Sequence, residues 1–147
     1  MRGETGTRRP SVVESSASEG FMTPLHAHQS DEAVRLLQGR MTIFAGTETI
    51  PLEPGETFVV AAGVPHAVLA ESPRTRAVFA TYAASPGRYE DFLRAAGPVA
   101  VDSSGAPAWS QDEDARAIAA IAAAADVTVL GPPGALPAGA RDSVRAA

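Results

Sequence analysis

PLHAHQSDEAVRLLQG, residues 24–39, carries His26 and His28 one residue apart, a glutamate at position 32 and a closing Gly39. In an extended strand, side chains two apart project from one face, so His26 and His28 point the same way. A helix would set them about 200° apart, and Pro24 disfavours a helix entering here. Glu32 follows His28 by an even step, and a tight turn at "QSD" returns it to the same face. By itself an HxH pair is more often two surface imidazoles in a loop. The third histidine of the chain, His66, stands in "GVPHAV", at the entry to another predicted strand. Three imidazoles and one carboxylate would leave one or two positions open on a six-coordinate metal, which suits catalysis better than a structural role.

The surrounding sequence has the rhythm of antiparallel β structure. From Ser11 to about Tyr82, short runs rich in Val, Ile, Thr and Phe alternate with turn signals. The runs are "SVVESSA", "PLHAH", "EAVRLL", "RMTIFA", "TETIPL", "TFVVA", "PHAVLA" and "TRAVFATYA". Eight short strands make a closed barrel or a two-sheet roll. A flexible N-terminus over 1–10 is expected to precede a β domain over 11–84. In "SPGRYEDFLRAAG", Ser85 caps, Pro86 opens and Gly97 stops an expected helix with Tyr89, Phe92 and Leu93 on one face. A second helix is expected in "SQDEDARAIAAIAAAAD", with Ser110 and Glu113 in capping-box spacing and Ile118 and Ile121 three apart. The helical extension thus covers 85–131, and the Gly/Pro/Ala sequence of 132–147 is expected to be disordered.

Composition narrows the chemistry. A chain of 147 residues, 45% hydrophobic, can bury one core. The net charge of −5, with no block of Lys or Arg longer than Arg8–Arg9, disfavours nucleic acid as a partner. Without cysteine there is no disulfide, thiolate nucleophile or sulfur ligand, so a metal must be held by nitrogen and oxygen. No signal-peptide run or membrane span is seen, and a cytoplasmic location is expected.

His26-Ala-His28, Glu32 and Gly39 resemble the first motif of the cupin superfamily, HxH followed by Glu and Gly. Gly55-Glu-Thr-Phe-Val-Val-Ala61-Ala-Gly63-Val-Pro-His66 resembles the second, with Ala61 in place of the usual Pro. Ala70 stands where an Asn is common. The intervening "RMTIFAGTETIPLEP" has the length found in small microbial cupins, and the resemblance spans roughly residues 11–98. "YEDFLRAAGP" and "VTVLGPP" are similar to the C-terminal parts of small single-domain cupins described as quercetin 2,3-dioxygenase-like. The resemblance implies a mainly β fold, a cupin-type antiparallel β-barrel (double-stranded β-helix or jelly roll), followed by two short C-terminal helices. It also implies that His26, His28, Glu32 and His66 hold one divalent transition metal per chain: Fe, Mn, Ni, Co, Cu or Zn. The N-terminal region is shorter than in most such proteins, so an edge strand is expected to be missing or supplied by a partner chain, consistent with a homodimer.

If Glu32 binds the metal, its carboxylate can also take a proton from a bound hydroxyl or enol, making it ligand and base together. By strand parity Val34 and Leu36 share the face of Glu32, and Val68 that of His66. Met41, Ile43, Phe58, Val60 and Phe79 are further candidates for the cavity wall, each more often core packing than substrate contact, while Arg35 points outward. An apolar pocket of this kind suits an aromatic or polyketide-like molecule. The resemblance implies a dioxygenase acting on an enolic or phenolic small molecule. An O2-independent cyclase or isomerase and a non-catalytic small-molecule-binding barrel stand as alternatives.

Overall fold

A computed structural model of the chain describes residues 10–81, 91 and 120–140. In chain order the strands are β1 (Ser11–Ala17), β2 (Leu25–His28), β3 (Glu32–Gln38), β4 (Met41–Ala45), β5 (Glu48–Leu52), β6 (Thr57–Val60), β7 (His66–Ala70), β8 (Thr75–Thr81) and β9 (Val127–Gly131). The first eight correspond to the eight runs read from the sequence, with β3 extending one residue beyond its run to Gln38. The ninth is the "VTVLG" run, which the sequence reading leaves inside the helical extension.

The strands form two antiparallel sheets, ordered β1-β8-β3-β6 and β5-β4-β7-β2-β9. The expected barrel is not closed. Among the described residues no ladder joins one sheet to the other, so the molecule is a two-sheet, jelly-roll-like fold rather than a continuous cylinder. Period-two burial gives the four-stranded sheet its inner face: Glu32, Val34 and Leu36 point inward from β3, and Thr75, Ala77, Phe79 and Thr81 from β8. Arg35 is exposed, as parity requires, and its Nη1 donates to Thr57 Oγ1 at 3.2 Å.

The five-stranded sheet is covered on both faces, which explains why β4 is buried at every position. Ile43 and Ala45 join the core between the sheets, while Phe44, Ala67 and Leu25 alternate to the other side and are buried there as well. Gly131 lies against Leu25 and Ala135, and Gly139 packs onto Thr47 so closely that a Cβ there would sit 2.6 Å from its methyl. Residues 132–140 therefore run from the β9 edge to the β4–β5 turn at the far side of the same sheet. The expectation of a disordered tail included these residues, which here end in a helical turn at 138–140 with Pro137 and Ala140 buried. Of the expected helices, residues 120–124 are helical and include Ile121. Apart from a single helical residue, Asp91, the first helix lies outside the described residues, as do Ser110, Glu113 and Ile118 of the second.

The closing glycine of the opening stretch has a steric reason. Gly39 has φ +87°, and a Cβ on it would collide with the Arg74 carbonyl and the Ser72 hydroxyl, so only glycine fits where β3 turns into β4. At the other end of the same sheet Ser11 is wholly buried, and its hydroxyl has no hydrogen-bond partner among the described residues. An unsatisfied buried hydroxyl is destabilising, so Ser11→Ala is expected to raise stability by about 1 kcal/mol in denaturant titration; a fall would mean that the hydroxyl is bonded.

Candidate metal centre

Two features of the strand pairing assemble the site. His26 on β2 lies directly opposite His66 on β7, so the ladder itself brings the second histidine-bearing turn to the first. Residues 29–31 then cross between the sheets and deliver Glu32 as the first residue of β3. His26, His28, Glu32 and His66 are 3%, 4%, 1% and 0% exposed, and one ligand atom from each lies within 4.8 Å of all the others. The structure thus brings together all four side chains singled out by the sequence, three from one sheet and the carboxylate from the other. Among the described residues this is the one cluster of three or more His and acidic groups with metal-holding spacing.

The imidazoles are oriented from behind. Nδ1–H of His26 donates to the Pro24 carbonyl at 2.8 Å, that of His28 to Ser30 at 2.6 Å, and that of His66 to Val64 at 2.9 Å. With Nδ1 committed to backbone carbonyls, each ring turns Nε2 toward the common centre, the arrangement that fixes the ligating tautomer of a metal-binding histidine. The ring centroids are 4.2 Å apart for His26 and His66 and 4.8 Å apart for His28 and His66. His66 Nε2 is buried without a hydrogen-bond partner and stands 3.6 Å from Glu32 Oε2, beyond bonding length. Two lone pairs facing one another in a dry interior are costly. A divalent cation between them would give His66 Nε2 the partner it lacks and the carboxylate a countercharge, so the donor set of three nitrogens and a carboxylate fits a metal.

Ionisation follows from the same packing. Burial, reinforced by the neighbouring His66 ring, lowers the His26 pKa from 6.5 to about 3. Burial also opposes charge on His28, but without a metal its protonated ring donates Nε2–H to Glu32 Oε2 at 2.6 Å as well as Nδ1–H to Ser30, and this carboxylate together with the Ser30 carbonyl raises its pKa overall. For Glu32, burial works against ionisation, yet the His28 hydrogen bond and the nearby His66 ring hold it well below the usual carboxylate range. Because His26 is depressed in the fold, the unfolded chain takes up a proton there as pH falls below 6.5 while the native chain does not. Its contribution is complete above 6.5 and is lost toward 3. His28 has the opposite sign, contributing below 6.5 and losing its contribution as pH rises through its raised value. Metal-free protein is therefore expected to lose on the order of 3 kcal/mol between pH 6.5 and 4 through His26. Urea titrations of wild type and His26→Gln would check this, since the variant should show a shallower acid slope.

The connection that aims Glu32 is fixed by residues the sequence reading did not single out. Thr81, 1% exposed and paired with Glu32 across the β3–β8 ladder, donates its hydroxyl to the Asp31 carbonyl at 2.9 Å. It also meets Ser30 Oγ at 2.8 Å. Asp31 Oδ1 accepts from the Ala62 N–H at 2.8 Å, and Gly63 N–H donates to the His28 carbonyl at 2.7 Å. These bonds fix the turn that has Ala61 where the motif usually has Pro. A hydroxyl among the inward apolar positions of "TRAVFAT" was the available signal for Thr81.

The eight candidate cavity residues belong to the core between the sheets, with Leu36 and Met41 four positions along their strands from Glu32 and from the partner of His66. Val34, Leu36, Met41, Ile43, Val60, Val68 and Phe79 are buried in one apolar core with Ala45, Leu52 and Ala77, and Phe58 is partly buried against it.

Residues 13–82 match the family described as Cupin domain, an interval that contains all four clustered side chains. Over that interval the chain is similar to a cupin domain. The sequence matches no curated protein. Among solved structures, the chain is similar to the TT1209 protein of Thermus thermophilus, at 26% identity over 52% of this chain and 75% of that one, with a TM-score of 0.49. It is similar to a conserved Streptococcus pyogenes protein of unknown function at 25% identity, over 52% of this chain and 67% of that one, TM-score 0.48. Similarity to a salicylate 1,2-dioxygenase from Pseudaminobacter salicylatoxidans is 20% identity over 50% of this chain and 21% of that enzyme, TM-score 0.47. No helix among the described residues is long and apolar enough to cross a membrane.

Proposed function

We propose that His26, His28, Glu32 and His66 bind one divalent transition metal and that this cupin is a metal-dependent oxidoreductase, a dioxygenase of the quercetin dioxygenase-like kind acting on an enolic or phenolic small molecule. The observation that carries the reading is the convergence of three Nε2 atoms and one carboxylate, each buried and each imidazole braced through Nδ1. A bound metal would supply Lewis acidity, lowering the pKa of a coordinated enol or phenol hydroxyl, and an open position for a second small molecule. Glu32 would accept the hydroxyl proton on a carboxylate oxygen, an assignment supported by a pKa held low enough to keep it ionised and by its place beside the donor cluster. The three imidazoles, locked to backbone carbonyls, would keep their geometry while that proton moves. The apolar core around Val34, Leu36 and Phe79 would exclude water from the neighbourhood.

One observation also serves a second reading. Glu32 is the acidic member of the cluster, and a metal with an adjacent base is sufficient for an O2-independent cyclase or isomerase. The deciding experiment is oxygen uptake by protein loaded in turn with Fe, Mn, Co, Ni, Cu and Zn, against a panel of flavonols and related enols, with Glu32→Gln alongside. Uptake lost in the variant supports the dioxygenase. Turnover that continues under strict anaerobiosis supports the isomerase, and inertness with every metal and substrate overturns both.

A further inference from the structure

We propose that Thr81 is a positioning residue that sets two ligand side chains at once, an inference that rests on reading the four clustered residues as metal ligands. Its hydroxyl has one proton to give and gives it to the Asp31 carbonyl, so the contact with Ser30 Oγ must be one in which serine donates. Each bond acts on a different ligand. The Asp31 carbonyl belongs to the peptide unit that enters Glu32, so holding that oxygen fixes the plane from which the Glu32 side chain departs. Ser30, anchored by its side chain, presents its own carbonyl to His28 Nδ1–H at 2.6 Å and thereby sets the rotation of that ring. Thr81 reaches both from β8, directly opposite Glu32 in the ladder and fully within the sheet interior. One side chain therefore relays the rigidity of the four-stranded sheet to a crossing loop that otherwise has no strand to lean on. Asp31 Oδ1 on the Ala62 N–H ties the same loop to the turn before His66, and Thr81 adds the bond on the carbonyl of the peptide that enters Glu32.

Valine has the shape of threonine without the hydroxyl, and serine has the hydroxyl without the methyl, so the two variants separate bonding from packing. The probe is Co2+, whose visible spectrum reports coordination geometry and whose affinity is measured by competition with a chelator. Thr81→Val is expected to bind Co2+ about 10–100-fold more weakly, with a shifted spectrum, and Thr81→Ser to stay within about threefold of wild type. Ser30→Ala, which removes the His28 arm and leaves the Asp31 arm, is expected to fall between them and keeps the test decisive should Thr81→Val fail to fold. Wild-type affinity in both Thr81→Val and Ser30→Ala overturns the proposal, as does an equal loss in Thr81→Ser and Thr81→Val, which would assign the effect to the methyl group. Absence of stoichiometric Co2+ on the wild type itself overturns the metal reading, and the positioning role with it.

Discussion

His66→Ala is expected to remove metal binding while leaving the strand order intact. Structural sites with four ligands bind zinc with about 10–16 kcal/mol, so one ligand in four is on the order of 3 kcal/mol, a loss of about a hundredfold or more in affinity. The variant should therefore lose metal on dialysis against a weak chelator that leaves the wild type loaded. His66 is chosen because its Nε2 is wholly buried and has no protein partner, so little else depends on that atom. Removing the ring also leaves a cavity beside His26 and costs the metal-free protein roughly 2–4 kcal/mol. Metal content by atomic emission and unfolding of both apo proteins separate the two effects. Unchanged metal stoichiometry in the variant would dismiss the ligand assignment and the proposed chemistry with it.

The second large effect concerns the C-terminal strand. β2 makes a single register pair with β7, His26 with His66, whereas it pairs with β9 from Leu25 to His28. Truncation after Asp126 makes the histidine-bearing strand an edge and uncovers Leu25, which packs against Gly131. Loss of buried Val127, Pro137 and Ala140 together with this exposure is expected to cost roughly 3–5 kcal/mol and to lower metal affinity through His28, whose backbone neighbour is Val127. Calorimetry with and without metal tests this. A truncated chain that melts and binds metal like the full one would show that β9 is dispensable.

Much of this architecture was legible because alternation reports burial. β3 and β8 have one face on the core and one toward solvent, so "EAVRLLQ" and "TRAVFAT" display the period directly. The clustered histidines were legible for the same reason, since His26 and His28 lie two apart in a strand whose inner face carries the cluster. β9 was not, because "VTVLG" follows an alanine-rich helical pattern and acquires its strand partner only through a tertiary contact with β2. Closure into a barrel could not be read either: it depends on ladders between sheet edges, and period-two patterning is the same for a roll and a cylinder. Thr81 was overlooked because a threonine in a strand is common, and its importance lies in which carbonyl it meets.

The division of the four donors between the sheets has a consequence for mechanical coherence. Three come from β2 and β7, and the fourth from β3 in the facing layer. Any ion held by all four is a rivet through both layers, in a fold where no ladder joins them among the described residues. Separating the layers would first require drawing that rivet. The melting temperature would then report occupancy, with about 2.7 kcal/mol gained when free metal stands at a hundredfold excess over Kd. Glu32→Gln would weaken the rivet at its single attachment to the second layer, and three imidazoles gripping an ion in one sheet would leave the other free to part from it.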